Sequence, residues 1–219
     1  MKHSFYSLSN TEQAAFVLKL AALFILLNLV LGTLLYFCGL VFLSLFIFAI
    51  SLSVFAPFVD VPSGVKSGSL RYYSTLLIGE KIKNNRLVLH GGSLFDYYFT
   101  LDFNQTAPER KKQVLSALID GLLILIAEHE HGKPTAIRIH ATSYILNPRT
   151  AKKLGLHVCQ TDVIQQLILY FNFVNLTCSL SFLTGRLTLP NMKKIYSFEG
   201  ELNALIANKA YLQRLHARL

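Results

Sequence analysis

The chain has 219 residues, of which 53% are hydrophobic and 15% are charged, with a formal net charge of +9. Soluble domains carry about 25% charged residues, so the composition excludes an ordinary domain that is soluble throughout. Three cysteines, Cys38, Cys159 and Cys178, lack metal-type spacing, argue against a disulfide scaffold and fit a reducing compartment.

The apolar residues are concentrated in one N-terminal stretch. From Ala14 to Val59 the only charged side chain is Lys19, and this stretch is more than twice as long as the roughly 20 residues that cross a bilayer as a helix. The segment from Ser9 to Glu12 has the pattern of a capping box. It predicts a helix from about Asn10 to Tyr36.

A second span is predicted from Leu40 to about Phe58, after a break at Phe37 to Gly39. Residues 1–59 are therefore expected to form a two-helix transmembrane hairpin that anchors the chain. Because the turn carries no charge, a hairpin that dips into the bilayer without crossing it stays open as an alternative. A cleaved signal peptide, with an apolar region of about 7–15 residues, fits less well.

The charges that flank the apolar stretch predict its orientation. Lys2 and Lys19 precede or begin the first span, and basic residues follow the second at Lys66, Arg71, Lys81, Lys83 and Arg86. The positive-inside rule then places both termini in the cytoplasm, and the expected location is a bacterial inner membrane. Within the first span, Asn28 is expected to bond its own helix backbone, with Ser44, Ser51 or another chain as alternative partners.

The rest of the chain predicts a linker over residues 60–69 and a cytoplasmic α/β domain over residues 70–219. The clearest element is a helix from about Ala107 to His131, with a capping pattern at Thr106 to Glu109 and helix-stopping residues at Gly132 and Pro134. Other helices are expected at residues 150–154, 162–173 (capped by Thr161, with a strand pair as the alternative) and 200–218. Strands are expected at residues 70–79 (or an interfacial segment), 87–89, 95–103, 135–142, 156–159 and 176–182.

Part of this pattern resembles a known enzyme superfamily. Leu101 to Phe103 ends a predicted strand before the capped helix, Arg110 to Leu115 opens that helix, and Asn147 precedes Ala151 and the run from Lys153 to Leu156. In these features residues 95–159 resemble the C-terminal half of the GNAT acyltransferase superfamily. The resemblance implies a GNAT-like α/β fold for the soluble domain.

The same resemblance implies a place for a cofactor. If the chain binds acetyl-CoA, Arg110, Lys111, Lys112 and Gln113 would lie near the pyrophosphate and Asn147 near the pantetheine arm. Gln113 and Leu115 stand where the family has glycines that let backbone N–H groups approach the phosphates. The family's tyrosine general acid has no match between Ala151 and Gly155. The favoured expectation is therefore that no cofactor binds.

Other candidate sites are weaker, and no metal site is expected. His90 to Ser93 fits a glycine turn better than an oxyanion loop, and Glu128 to His131 fits a solvated helix end better than a zinc site. Asp96 and Asp102 would share one face of the predicted strand, either as a carboxylate pair or for solubility. His140 is expected to be a satisfied core histidine.

The charge pattern predicts lipid headgroups as partners rather than nucleic acid. The basic clusters are small, and no aromatic residues alternate with them as on single-strand binding surfaces. We therefore expect a membrane-anchored α/β protein that is a non-catalytic binding or scaffold subunit, with a protein partner in a membrane complex. A membrane-tethered, acetyl-CoA-dependent acyltransferase is the alternative, and a lipid-surface sensor is a third possibility.

Overall fold

The computed structural model describes residues 3–131 and 136–219. Lys2 and the predicted helix stop at Gly132 and Pro134 lie outside the described residues, as does Thr135 at the start of a predicted strand. The described chain is a mixed α/β fold in which helices precede, cover and follow one six-stranded sheet. The predicted α/β class is therefore confirmed.

The N-terminal region is a long apolar helix followed by two shorter ones. Helix α1 (Asn10–Phe37) begins at a capping box formed by Ser9 and Glu12, as predicted. Gly39, at φ +72°, makes the left-handed turn after it. The second predicted span is a 15-residue helix, α2 (Val41–Phe55), followed by α3 (Pro57–Lys66), which covers most of the predicted linker.

Within the described residues, α1 is the one helix that is long and apolar enough by itself to cross a membrane. The pair α2 and α3, bent by 41°, satisfies the same criterion only when it is taken as one broken span. A 15-residue helix is about 22 Å long, less than the roughly 30 Å of a hydrocarbon core. The bend at Pro57 therefore changes the second predicted span from a straight helix into two segments.

Helices α1 and α2 contact each other through aromatic and polar side chains. Phe24 stacks on Phe55 with ring centroids 4.9 Å apart. The Asn28 amide nitrogen donates to the Phe24 carbonyl at 2.8 Å, and the Ser51 hydroxyl donates to the Asn28 side-chain oxygen at 3.0 Å. Asn28 therefore makes the expected bond to its own helix and also the alternative bond to Ser51.

The sheet has the strand order β1-β2-β3-β4-β6-β5. Strands β3 and β4 are parallel, and the other neighbouring strands are antiparallel. The strands are β1 (Leu70–Ser74), β2 (Leu77–Glu80), β3 (Arg86–Gly91), β4 (Arg138–Ser143), β5 (Leu156–Cys159) and β6 (Tyr196–Glu201). Strand β6, which lies between β4 and β5 and joins β5 to the sheet, was not predicted.

Helices cover one face of the sheet and form the main core. Helix α5 (Ala107–His129) packs there with α9 (Leu202–Ala207) and α10 (Lys209–His216). The fully buried residues of this core include Leu87, Leu125, Ile126, Ile139, Phe198, Leu202 and Leu205. The predicted C-terminal helix over residues 200–218 is thus two helices that begin after β6.

Two predicted strands are helices. The aromatic segment at residues 95–103 forms α4 (Leu94–Thr100), because Ser93 and Asp96 make a capping box at its start. The alternating residues from Leu176 to Phe182 lie in α8 (Phe173–Thr184), where hydroxyl side chains bond carbonyls one turn earlier. In both cases helix packing outweighs the strand preference of the side chains.

The strand predicted at residues 70–79 is two antiparallel strands, β1 and β2, with a turn at Thr75 and Leu76. The other predicted elements agree with the structure. Helix α6 (Pro148–Lys153), capped by Asn147 and closed by Gly155, corresponds to the predicted short helix. Helix α7 (Val163–Phe171) confirms the predicted helix at residues 162–173, with Asp162 rather than Thr161 as its cap. A 60° bend separates α7 from α8.

Candidate functional site

A large cavity lies at the carboxyl ends of the parallel strands β3 and β4. Its volume is about 620 Å³, and its walls include Leu89 to Ser93, at the end of β3 and just after it, and Ala141 to Asn147, at the end of β4 and just after it. In open α/β sheets, ligands bind in the crevice outside the carboxyl ends of parallel strands. The sheet therefore places this cavity where a ligand site is expected.

The walls of the cavity are predominantly apolar. Strands β2, β3 and β4 supply one side, and α5 supplies another, through residues that include Leu77, Leu89, Ile139, Leu118, Ile119 and Leu122. Hydrating apolar surface of this kind is unfavourable, so an apolar ligand that covers it gains free energy. The walls favour an aliphatic ligand over a nucleotide or a sugar.

Two tyrosines form the main hydrogen-bonded pair in the cavity wall. The hydroxyl oxygens of Tyr97, on α4, and Tyr144, after β4, are 2.7 Å apart. Burial raises the pKa of both phenols above the ordinary value of 10, and for Tyr97 the nearby Tyr144 raises the pKa further. Both hydroxyls are therefore neutral at physiological pH, so a ligand beside them meets a hydrogen-bonding group without a charge.

The cavity is bordered on one side by the elements next to the apolar N-terminal helices. Pro57 and Val61 of α3 line it, together with residues of α7 and α8 that include Ile168, Asn175 and Ser179. The buried Asn175 donates its side-chain amide to the Ser53 carbonyl of α2 at 3.1 Å. Since α2 also packs on α1, the cavity and the longest apolar helix belong to one packed unit.

The five residues suggested for acetyl-CoA fall in two different places. Asn147 lines the cavity, but its side chain accepts a bond from the Thr150 backbone N–H at 2.9 Å as the cap of α6. Lys111 and Lys112 are exposed on α5. Arg110 and Gln113, in the first turns of the same helix, are buried away from the cavity lining.

Packing of the chain explains the burial of Arg110 and Gln113. The Arg110 guanidinium lies against the end of α8, where a Cβ atom added to Gly185 would come 2.6 Å from it. The Gln113 amide nitrogen donates to the Thr100 carbonyl at the end of α4 at 2.9 Å. Helix α4 separates β3 from α5, so the start of α5 packs against α4 and α8.

Other residues singled out in the sequence have ordinary surroundings. Asp96 and Asp102 do not form a pair: Asp96 is fully buried in α4, whereas Asp102 is exposed and accepts from the Asn104 backbone N–H. Glu128 pairs with Arg71, and Glu130 pairs with Lys209. These ion pairs account for the charged end of α5.

His140 lies in the outer face of the sheet rather than in the core. It is partly exposed, and its Nε2 atom is 3.9 Å from the Cys159 sulfur on β5. Partial burial and the nearby Arg86 lower the pKa of His140 below its usual value. Among the residues that the structure describes, no three His, Cys, Asp or Glu side chains are placed to hold a metal ion.

A buried polar cluster that the sequence did not predict joins the N-terminus to α4. The Asp96 carboxylate accepts from the Ser93 N–H at 2.6 Å, from the Ser93 hydroxyl at 2.7 Å and from the Tyr72 hydroxyl. The His3 Nε2 atom lies 3.2 Å from the same carboxylate. Burial and the charge of Asp96 raise the pKa of Tyr72 far above its usual value, so this cluster holds a neutral tyrosine.

Comparison with known proteins gives no further assignment. No family model matches the sequence, and neither a curated protein nor a solved structure matches it significantly. The functional argument therefore depends on the cavity and on its position beside the apolar helices. Two segments singled out in the sequence line the cavity: His90 to Ser93, expected as a glycine turn, and Asn147, expected near a pantetheine arm. Nothing in the sequence indicated that β3 and β4 pair in parallel and bring these two segments together.

Proposed function

We propose that this chain is a membrane-anchored binding protein whose α/β domain takes a long apolar chain, such as the acyl chain of a lipid, into the cavity beside β3 and β4. The single observation that supports the proposal is the cavity itself, about 620 Å³ in volume, apolar, and bordered by α3, α7 and α8. Ligand pockets in proteins have volumes of about 300–1,000 Å³ and mainly apolar walls.

The free energy available in such a site is substantial. Burying one methylene group contributes about 0.8 kcal/mol, so an acyl segment of about ten methylenes gains roughly 8 kcal/mol before the cost of ordering the chain. The neutral Tyr97 and Tyr144 hydroxyls can bond an ester or carboxylic acid group at the end of that chain. Because these two side chains are neutral, they provide no opposite charge for a phosphate or another strongly charged group.

The proposal includes the anchor and its orientation. Helix α1 crosses the bilayer, α2 and α3 return to the starting side, and the α/β domain lies on the cytoplasmic side of a bacterial inner membrane. This arrangement follows the positive-inside rule, since Lys66, Arg71 and Lys81 follow the apolar helices. A protein that holds a lipid chain at this surface would act as a binding subunit for a partner that uses the lipid.

An acetyl-CoA-dependent acyltransferase is the second candidate. It is favoured by the position of Asn147, which lines the cavity next to the turn after β4. The burial of Arg110 and Gln113 counts against it, because these side chains are engaged in helix packing. Calorimetric titration of the detergent-purified chain with acetyl-CoA separates the two: saturable heat at micromolar ligand favours the transferase, and no heat favours the binding protein.

Lipid binding is tested by native mass spectrometry of the full chain after release from detergent micelles. Ala141, which lines the cavity, is replaced in Ala141→Phe, so that a phenyl ring fills part of the space. Ala210→Phe adds the same ring at an exposed position on α10 and is the matched control. We expect a bound lipid mass on the wild type and on Ala210→Phe, and its loss in Ala141→Phe.

The two variants also separate the cavity from lipid that adheres to the anchor. Lipid around α1 and α2 is unaffected by Ala141→Phe, so it would remain on all three proteins. Equal lipid on all three, or no lipid on the wild type, would overturn the proposal. Circular dichroism of each variant checks that the fold is retained.

A further inference from the structure

Helix α7 exposes an apolar surface that the described chain does not cover. Six of its nine residues are large, apolar or aromatic and at least 46% exposed: Val163, Ile164, Leu167, Ile168, Tyr170 and Phe171. Monomeric soluble proteins rarely expose a contiguous patch of this kind, and such patches mark binding surfaces. The surface formed by these six residues is called the α7 face below.

The opposite side of α7 faces the domain. Gln165 and Leu169 are partly buried and line the cavity, as does Ile168 at the edge of the α7 face. Asn172 follows them at the end of the helix, where its side chain bonds the Ile168 carbonyl. Gln166 donates its amide to the Thr161 carbonyl before the helix. The helix therefore has a side toward the protein and an outward α7 face, the pattern of a helix that lies at an interface.

The position of α7 relative to the apolar N-terminal helices indicates what covers this face. Asn175, four residues after α7, is bonded to the Ser53 carbonyl near the end of α2. The 60° bend between α7 and α8 therefore lies close to the junction of α2 and α3. Within six residues of Ser53 along the chain, Ile50 of α2 and Val59 of α3 also expose apolar side chains.

The segment after α8, at the other end of that helix from α7, has a composition that favours the same occupant. The segment after α8 carries two more exposed apolar side chains, Leu187 and Leu189, with exposed Arg186, Lys193 and Lys194 beside them. Apolar residues flanked by cations are complementary to a leaflet with anionic headgroups above its acyl chains. A protein partner would need an apolar patch with acidic residues around it at the same height above the membrane.

We propose that α7 is a second membrane contact: its α7 face lies in the boundary between headgroups and acyl chains of the leaflet next to the α/β domain, and Arg186, Lys193 and Lys194 bind anionic headgroups. The inference rests on the proposed anchoring by α1. It adds that the side of the α/β domain that contains the cavity faces the leaflet. Because Gln165 and Leu169 line the cavity from the other side of α7, a lipid chain reaches the cavity past this helix.

Site-specific fluorescence in vesicles tests this arrangement. Cys38, Cys159 and Cys178 are replaced by serine in the full chain, and single cysteines are introduced as Leu167→Cys, Leu29→Cys and Lys111→Cys. Leu167 lies in the α7 face, Leu29 is exposed in the middle of α1, and Lys111 is exposed on α5. Each cysteine carries an environment-sensitive nitrobenzoxadiazole probe, and the vesicles contain phosphatidylglycerol, phosphatidylcholine and a lipid with a spin label on its acyl chain.

We expect the spin-labelled lipid to reduce the emission at Leu167→Cys and Leu29→Cys and to leave Lys111→Cys unchanged. Emission at Leu167→Cys that matches Lys111→Cys, with Leu29→Cys quenched, would overturn the membrane contact of α7 and leave the anchor intact. A blue-shifted but unquenched probe at Leu167→Cys would overturn it as well, because a second protein copy would then cover the face. Loss of quenching at Leu29→Cys would instead contradict the anchoring on which the inference rests.

Discussion

Asp96 is a buried carboxylate that contacts four polar groups of three residues, and its role is structural. It closes the capping box of α4 through Ser93 and accepts from Tyr72, with His3 at 3.2 Å. A buried carboxylate of this kind is tolerated only where hydrogen bonds replace those of water. It joins the N-terminus, β1 and α4, which meet where the domain begins after the apolar helices.

Replacing Asp96 is therefore expected to destabilise the fold. In Asp96→Asn the charge is lost, and one side-chain oxygen must replace two; hydrogen bonds to charged groups contribute about 1.5–3 kcal/mol each, so we expect a loss of about 2–3 kcal/mol. Thermal unfolding in detergent measures the change. Asp102→Asn, at an exposed position, is the control, and equal midpoints for the two variants would contradict the role given to Asp96.

Tyr97 predicts a specific dependence of stability on pH. Burial raises its pKa in the folded chain well above 10, the value expected in the unfolded chain. Below pH 10 both states keep the proton, whereas above pH 10 the unfolded state loses it first, so stability decreases as pH rises. One such tyrosine gives a slope of up to about 1.4 kcal/mol per pH unit.

Removing the hydroxyl is expected to reduce that slope. Denaturant unfolding of Tyr97→Phe and of the wild type between pH 9 and pH 11 measures it. The wild type should lose stability more steeply than the variant above pH 10. Parallel pH curves would contradict the raised pKa of Tyr97.

At the scale of elements, Gly155 allows the turn after α6 to pack closely against α9. Gly155 has φ +80°, and a Cβ atom there would come 2.8 Å from the Cβ of Ala204 on α9. Gly68, before β1, has φ +72° but no atom within 4 Å of its Cβ position. The two glycines share the backbone conformation and differ in the space around them.

This difference predicts unequal effects of alanine. Gly68→Ala should cost about 1–2 kcal/mol from the left-handed backbone alone. Gly155→Ala adds overpacking, which costs about 1–3 kcal/mol more. Thermal midpoints of the two variants check the order, and a Gly68→Ala variant that is as unstable as Gly155→Ala would refute the close packing of α6 on α9.

Local capping signals made part of the fold predictable from sequence. The pairs Ser9 with Glu12 and Thr106 with Glu109 marked the starts of α1 and α5, and both helices begin there. The same type of pair, Ser93 with Asp96, starts α4, although the aromatic residues after it favour a strand. Helix α8 could not be recognised from its alternating residues, since its helical state depends on packing against α2, α4 and α5.

The candidate site was less predictable than the elements around it. Asn147 was selected from the sequence and lines the cavity, whereas Tyr97 and Tyr144 were not selected, because their pairing joins residues on α4 and after β4. The positive residues at the start of α5 indicate a phosphate site only if α5 directly follows a strand. The intervening α4 places that helix end against α8 instead.

At the scale of the whole molecule, the proposed location of the protein at a membrane depends on helix α1. Helix α1 exposes most of its apolar side chains, and none of its residues is buried within the protein. Water is an unfavourable environment for such a surface, and hydrocarbon is a favourable one. The cavity, the α7 face and the basic segment after α8 gain their proposed roles only if α1 is in a bilayer.

Flotation of membranes after extraction with alkaline carbonate tests this claim most directly. The wild-type chain and a control carrying Asn104→Arg and Gln105→Arg, both exposed, are expected to float with the vesicles. A variant with Leu26→Arg and Leu29→Arg in the middle of α1 should stay in the dense fractions, since each arginine costs about 2.5–3.5 kcal/mol at the centre of a span. A wild-type chain that carbonate releases from the vesicles would contradict the account.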